Sequence, residues 1–114
     1  MKTADVIIVG SGASGVFNAL FLPQDYKVIV ITKKEVEESD SFLAQGGISA
    51  LKNPEDYDSY FEDTMKAGHY ENDKGAVEKM IKESPQIIQD LKDFGVRFDL
   101  KDGEIEFTRE GGHS

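Results

Sequence analysis

The chain has 114 residues, the length of one domain, and its 39% apolar and 31% charged residues are typical of globular proteins. It contains no cysteine, which excludes a disulfide scaffold, a thiolate metal site and a cysteine nucleophile. The formal net charge is −9, and so acidic a chain is repelled by nucleic-acid phosphates and anionic lipids. No stretch reaches the roughly 18 apolar residues that span a bilayer. We therefore expect neither a nucleic acid nor a membrane as partner, and no metal site.

The first third of the chain has the pattern of a strand, a glycine-rich turn, a helix and a second strand. The apolar run at residues 6–9 is β-branched and does not alternate, which is typical of a strand buried on both faces of a parallel sheet. A helix-length apolar stretch follows and stops at Pro23, and the run at residues 26–32 predicts the second strand. Residues 5–32 therefore predict a βαβ unit with an incomplete parallel sheet, and the fold class is α/β.

The turn between this strand and helix has the spacing Gly10-x-Gly12-x-x-Gly15. In such a motif the first glycine permits a tight turn, the second lets a diphosphate approach the backbone, and the third lets the helix pack on the strand. The helix start adds free amides and a partial positive charge. The alternative is a glycine-rich turn that binds nothing. The predicted dinucleotide contacts are the residues of the turn: Gly10, Ser11, Gly12, Ala13, Ser14 and Gly15.

The end of the second strand lacks the acidic residue that usually contacts the adenosine ribose of NAD. Lys33 and Lys34 stand there instead, which argues against a standard NAD site. Residues 1–33 carry three lysines against two aspartates, a net charge of +1, which leaves −10 for residues 34–114. Lys33 is a candidate contact on the adenosine side of a cofactor, and a solvated loop lysine is the alternative.

The middle of the chain predicts a loop at residues 33–41, a small-residue segment at 40–50 and helices within 58–94. Ser59 and Glu62 have the spacing of a capping box, and Gly68 is placed to end the first helix. Pro85 lies inside the following apolar stripe and predicts two helices, broken or kinked at Ser84-Pro85, the second capped by Ser84. Residues 96–99 and 104–107 alternate around a glycine-containing turn and predict a β-hairpin.

The segment Ala44-Gln45-Gly46-Gly47-Ile48, placed after a βαβ unit, resembles the flavoprotein family of L-aspartate oxidase, succinate dehydrogenase and fumarate reductase. Matches to the family pattern continue along the chain to residues 109–114. The sequence there is Arg-Glu-Gly-Gly-His-Ser, and it resembles the L-aspartate oxidases more than the other members. The resemblance implies a Rossmann-like FAD-binding unit followed by helices and a β-hairpin.

The resemblance also implies which residues meet the flavin. Succinate dehydrogenases carry a histidine that attaches FAD covalently at the position of Asp40, so the resemblance implies FAD bound non-covalently. Tyr60 stands where the family usually has histidine, and we interpret it as a packing residue rather than a proton carrier. The residues implied on the flavin side are Asp40, Ser41, Phe42, Leu43, Ala44, Gln45, Gly46 and Gly47.

For substrate and partners, the resemblance implies that Glu110, in the segment 96–114 that contains the hairpin and the glutamate motif, orients the amino group of L-aspartate. The electron acceptor would be oxygen or fumarate, the product iminoaspartate would enter NAD synthesis, and quinolinate synthase is a candidate partner in the cytoplasm. The family's other catalytic residues lie in later parts of a longer chain, so we expect these 114 residues to be inactive alone. The alternatives are a portion of a succinate dehydrogenase or fumarate reductase flavoprotein, and a non-catalytic dinucleotide-binding module.

Overall fold

The computed structural model describes residues 3–44 and 47–108, and the chain forms two compact units, Met1–Gly46 and Gly47–Ser114. We refer to them as the first and the second unit. No helix among the described residues combines the length and the apolar character that crossing a membrane requires.

The first unit contains the predicted βαβ arrangement. Strand β1 (Val6–Val9) leads into helix α1 (Ala13–Phe21), and strand β2 (Val28–Ile31) pairs in parallel with β1. In the register, Val6 lies opposite Val28 and Val9 lies opposite Ile31. The pairing places the carboxyl ends of both strands beside the start of α1, where a parallel sheet presents its ligands.

The prediction that these strands are buried on both faces is wrong for the chain as it stands. Residues of β1 alternate between half-buried and exposed, and Val9 is 84% exposed. Two strands and one helix form a single layer on a narrow sheet, so one face of the pair remains open to solvent. The residue types are those of a strand buried on both faces, but the first unit has no second layer to cover the open face.

The predicted loop at residues 33–41 contains more structure than expected. A single 3₁₀ turn lies at Val36–Glu38, and a short helix, α2, covers Asp40–Leu43. Ser39 begins α2, since its hydroxyl accepts a hydrogen bond from the amide of Phe42 at 3.2 Å. This turn of helix fixes the direction in which the side chain of Ser41 leaves the backbone.

The second unit is built on two helices, α3 (Tyr57–Ala67) and α4 (Lys74–Asp93). Gly68 ends α3 as predicted. The predicted capping box of Ser59 and Glu62 is wrong: a 3₁₀ turn precedes α3, and the Ser59 hydroxyl donates to the carbonyl of Asp56 at 3.1 Å. Helix α3 therefore begins by continuing an existing turn.

The predicted break at Ser84-Pro85 is also wrong, because α4 continues through Pro85. Proline has no amide to donate to the carbonyl four residues earlier, which is that of Ile81. The hydroxyl of Ser84 donates to that carbonyl at 2.7 Å and takes the place of the missing amide. Ser84 thus supports a continuous helix and does not begin a second one.

The apolar core lies in the second unit, between α3 and α4. Met65, Val77 and Ile81 are buried, and Ile81 is 0% exposed. Half-buried apolar side chains surround these three: Leu51, Tyr57, Tyr60 and Phe61. The helix pair therefore forms a scaffold that carries the preceding loop, residues 47–53, on its surface.

The predicted β-hairpin is present but shorter than expected. Strands β3 (Leu100–Lys101) and β4 (Glu104–Ile105) pair in an antiparallel register with Leu100 opposite Ile105. Asp102 and Gly103 form the turn with φ values of 53° and 84°, the conformation of a type I′ turn. The predicted strand at residues 96–99 has no regular secondary structure.

Candidate functional site

The glycine-rich turn after β1 has the geometry that its spacing predicts. Gly10 has φ +116°, a conformation that side chains disfavour, and its amide donates to the carbonyl of Ile31 at 2.8 Å. A Cβ added to Gly15 would lie 2.2 Å from the carbonyl oxygen of Gly10. Both predicted roles are confirmed: Gly10 makes the tight turn, and Gly15 lets α1 approach the end of β1.

Gly12 meets a residue from a distant part of the chain. A Cβ on Gly12 would lie 3.2 Å from the Oγ atom of Ser41, and the amide of Ala13 donates to that same oxygen at 2.9 Å. The structure therefore brings together two predicted site segments, the glycine turn and the start of the flavin-side segment. It also shows that the Ala13 amide is directed to Ser41 and is not left free.

Ser11 faces inward. It is 8% exposed, and its hydroxyl donates to the Oγ1 atom of Thr32 at 3.1 Å. This bond joins the turn to the residue that follows β2 and stiffens the edge where both parallel strands end. Sequence reasoning missed Thr32 as a partner, although its place directly after the second strand of a parallel pair was a usable signal.

The start of α1 retains donors for an anion. Among the described residues, no hydrogen bond is formed by the amides of Ser14 or Gly15, and no acidic residue lies in the first turn of α1. Unsatisfied amides and the positive end of the helix dipole attract phosphate groups. The amides of Ser14 and Gly15 can therefore donate to an anion such as a diphosphate.

The remaining predicted contacts of the first unit are exposed. Lys33 is exposed and takes no part in the ion pairs of the described chain, whereas its neighbour Lys34 lies 3.4 Å from Glu38. Asp40 is also exposed, so its negative charge lies in solvent. Phe42, Leu43 and Ala44 present their side chains to solvent on and after α2.

Three predicted residues, Gln45, Gly46 and Glu110, lie outside the described residues, as does the rest of the segment 109–114. The last residue of the flavin-side segment, Gly47, is exposed at the start of the second unit. The structure thus describes most of the predicted cofactor contacts but not the predicted substrate contact.

A cavity of about 400 Å³ lies in the second unit beside the loop that follows Gly47. Tyr60 lies in its wall and packs against the core, as predicted. Burial raises the pKa of the Tyr60 hydroxyl, while a hydrogen bond with the side chain of Ser49 opposes the shift. The cavity is lined mostly by apolar side chains: Ile48, Ser49, Tyr60, Thr64, Met80, Ser84, Ile87 and Ile88.

Comparison with known proteins assigns the chain to a family. Residues 5–114 match the sequence profile of the FAD binding domain. The chain belongs to the FAD binding domain family. The prediction of FAD as the cofactor is confirmed by this match.

Named relatives of the family lie among the L-aspartate oxidases. The chain is 43% identical over 112 residues to L-aspartate oxidase of Clostridium perfringens, which covers 98% of this chain and 26% of that protein. The identity to L-aspartate oxidase of Clostridium acetobutylicum is 44% over 111 residues, with 96% and 26% covered. The chain thus spans about a quarter of the length of these relatives.

A solved structure has the same fold. Mycobacterium smegmatis Sdh1, determined in complex with UQ1, matches with a TM-score of 0.82 and 30% identity over 99% of this chain and 20% of that protein. The predicted α/β fold class is confirmed by this match.

The described residues fit FAD. The backbone at Gly15 has no room for a Cβ, a Cβ at Gly12 would press on the Ser41 hydroxyl, and the free amides of Ser14 and Gly15 are suited to a diphosphate. The described residues hold no group of three or more histidine, aspartate or glutamate side chains placed to hold a metal ion.

Proposed function

We propose that the chain is the amino-terminal, FAD-binding portion of an L-aspartate oxidase. The observation that carries the proposal is the identity of 43% to an L-aspartate oxidase over 98% of the chain. A glycine turn with free amides at the start of α1 supports the cofactor half of the proposal. The reaction would oxidise L-aspartate to iminoaspartate, which would then enter quinolinate and NAD synthesis.

The roles proposed for the chain's own residues follow from their positions. The turn, residues 10–15, would hold the diphosphate, and Lys33 would lie on the adenosine side. The segment 40–47 would line the flavin side, where small residues and glycines let the backbone approach a planar ring. FAD, when bound, supplies the redox chemistry, and the protein supplies position and charge.

Glu110 is the substrate residue that we propose within this chain. L-Aspartate has one ammonium and two carboxylates, so its site needs one carboxylate to meet the ammonium and cationic groups to meet the acids. The chain has only two arginines, Arg97 and Arg109, and two histidines, His69 and His113, and the family's cationic substrate residues belong to later parts of the longer relatives. We therefore expect the 114 residues alone to be inactive.

The proposed setting is the cytoplasm, with oxygen or fumarate as the electron acceptor. Quinolinate synthase is the proposed protein partner, because an unstable imine product favours transfer to the next enzyme. The acidic net charge of −9 accords with a small-molecule substrate and not with a nucleic acid.

The test uses the complete protein that contains this chain. We expect a yellow protein with flavin absorbance, and hydrogen peroxide formation that depends on L-aspartate. Glu110→Gln should keep the flavin spectrum and raise the KM for L-aspartate, because the amide keeps the shape and loses the charge. A colourless protein that cannot be reconstituted with FAD would refute the proposal.

A succinate dehydrogenase or fumarate reductase flavoprotein is the second candidate, favoured by the similarity to Mycobacterium smegmatis Sdh1. Two measurements separate the candidates. An L-aspartate oxidase should oxidise L-aspartate in preference to succinate, and acid denaturation should release its flavin, because Asp40 stands where covalent attachment needs a histidine. A non-catalytic module, the third alternative, would bind FAD and oxidise neither substrate.

A further inference from the structure

Ser84 lies inside α4 and is 7% exposed, yet its hydroxyl makes two hydrogen bonds. Its Oγ atom donates to the carbonyl of Ile81 at 2.7 Å and accepts from the amide of Leu51 at 2.8 Å. A serine hydroxyl has one proton to donate and lone pairs to accept, so both bonds form at once. Ser84 is therefore a buried junction between a helix and a loop.

Pro85 is the reason for the hydrogen bond between Ser84 and the Ile81 carbonyl. Because Pro85 has no amide proton, the carbonyl of Ile81 would have no helical partner in the centre of the core. Ile81 is 0% exposed, so water does not replace that partner. The hydroxyl of Ser84 satisfies the carbonyl, and this fixes the direction of its remaining lone pairs.

The second hydrogen bond of Ser84 satisfies the amide of Leu51 in the preceding loop. Residues 47–53 form no helix or strand, so the Leu51 amide has no partner in regular secondary structure. Ser84 supplies the acceptor from 33 positions along the chain. Leu51 lies four residues after Gly47, which ends the proposed flavin-side segment, and the bond between Ser49 and Tyr60 attaches the same loop to α3.

We propose that Ser84 is a positioning residue, which holds the loop 47–51 on the α3–α4 scaffold so that the end of the flavin-side segment has one conformation. The proposal rests on the proposed FAD-binding function. The loop reaches its binding geometry before the ligand arrives, and preorganisation of this kind raises affinity. Ser84 contacts neither cofactor nor substrate in this proposal and acts only through the backbone of the loop.

The test compares substitutions that separate the helix role of Ser84 from its loop role. Ser84→Ala removes both bonds, leaving the Ile81 carbonyl and the Leu51 amide without partners. The double variant S84A/P85A restores an amide at position 85 for the Ile81 carbonyl and leaves only the Leu51 amide unsatisfied. Pro85→Ala alone keeps Ser84, and Ser59→Ala removes an exposed hydroxyl that also donates to a carbonyl three residues earlier.

Two readouts are measured in the complete protein: amide hydrogen exchange at Leu51 without flavin, and the Kd for FAD. We expect S84A/P85A to recover most of the thermal stability that S84A loses. We also expect its Leu51 exchange to remain about tenfold faster, and its Kd about tenfold higher, than in the parent, the size of one buried hydrogen bond. Pro85→Ala and Ser59→Ala should leave both values unchanged within about twofold.

If amide exchange at Leu51 in S84A/P85A is as slow as in the parent, Ser84 does not hold the loop. If exchange is fast but the Kd for FAD is that of the parent, holding the loop plays no part in flavin binding. A purely structural role predicts that the Kd follows thermal stability and recovers in the double variant. A parent protein that binds no FAD would overturn the proposed function instead. In that case, exchange at Leu51 alone would decide whether Ser84 holds the loop.

Discussion

The two units of the chain are stabilised by different kinds of interaction. The second unit has an apolar core in which Ile81 is fully buried, whereas the only buried side chain among the described residues of the first unit is that of Ser11. The first unit depends on backbone pairing, on glycine geometry and on hydrogen bonds such as that of Ser11 to Thr32. The second unit is therefore held together mainly by side-chain packing, and the first mainly by backbone geometry and hydrogen bonds.

The apolar residues of the first unit are numerous but uncovered. Ile7 is 60% exposed, and Val9 and Phe21 also face solvent. Burial of apolar area is the main source of folding free energy, about 25 cal/mol per Å², so the first unit gains little from its own side chains. We expect binding of FAD to stabilise it.

The largest expected effect is that of Gly15→Ala on the first unit. The added Cβ would lie 2.2 Å from the Gly10 carbonyl oxygen, a backbone atom that cannot move without opening the turn. We expect loss of FAD binding by at least about 100-fold, because the amides of the helix start are displaced together. Titration of the complete protein with FAD provides the measurement.

Gly75→Ala is the matched control for this substitution. Gly75 lies in the first turn of α4, where its added Cβ would lie 3.3 Å from the Oδ1 atom of Asp73, which caps the helix by accepting from the amide of Ala76. Alanine favours helix over glycine by about 1 kcal/mol, so α4 should be retained. Since Gly75 is not part of the glycine turn, FAD binding should not change. Equal losses in both variants would contradict the assignment of the glycine turn as the binding edge.

Ile81→Ala tests the scaffold in the same way. Removing a fully buried isoleucine side chain costs about 2–5 kcal/mol of unfolding free energy. Ile7→Ala, at a side chain that is 60% exposed, should cost less than about 1 kcal/mol. Denaturant unfolding measures both, and similar losses would show that the first unit has a core comparable to that of the second.

The parts of this fold that the sequence predicts correctly depend on local backbone chemistry. Gly10 and Gly15 mark the turn, and Gly103 marks the hairpin, because each reports a conformation or an approach that a side chain would prevent. The spacing that joins a strand, a glycine turn and a helix is itself local. These features require no knowledge of which distant residues meet.

The features that sequence reasoning missed depend on distant partners. Ser41 lies 28 residues from the Ala13 amide that it accepts from, and Ser84 lies 33 residues from Leu51. Proline in an apolar stripe predicts a break by default, whereas here the hydroxyl of Ser84 satisfies the carbonyl that Pro85 leaves without an amide partner. The burial of β1 and β2 on both faces was predicted wrongly for a related reason. Apolar residue types show that a strand is suited to packing on both faces, but they do not show whether the packing partners are present.

Ser41→Ala tests the junction within the first unit and has a smaller expected effect. Its hydroxyl accepts from the Ala13 amide at 2.9 Å, so its loss should cost about 1 kcal/mol, the size of a helix cap. Ser59→Ala removes an exposed hydroxyl of the second unit, which donates to the carbonyl of Asp56, and serves as the control. Hydrogen exchange at Ala13 should accelerate in the first variant and stay parental in the second.

The smallest expected effect concerns the surface of the second unit, at Tyr70. Its hydroxyl donates to a carboxylate oxygen of Glu62 at 2.6 Å, and this hydrogen bond, with the negative charge of Glu62, raises the pKa of Tyr70 above its usual value. Since the unfolded chain loses this proton near pH 10, the bond contributes its full stability below that pH. The contribution decreases as the pH increases through the folded pKa.

Tyr70→Phe should therefore lower the unfolding free energy at neutral pH, and the difference from the parent should shrink above about pH 10. A difference that stays constant from neutral to alkaline pH would show that packing of the ring, rather than the hydrogen bond to Glu62, holds Tyr70 in place.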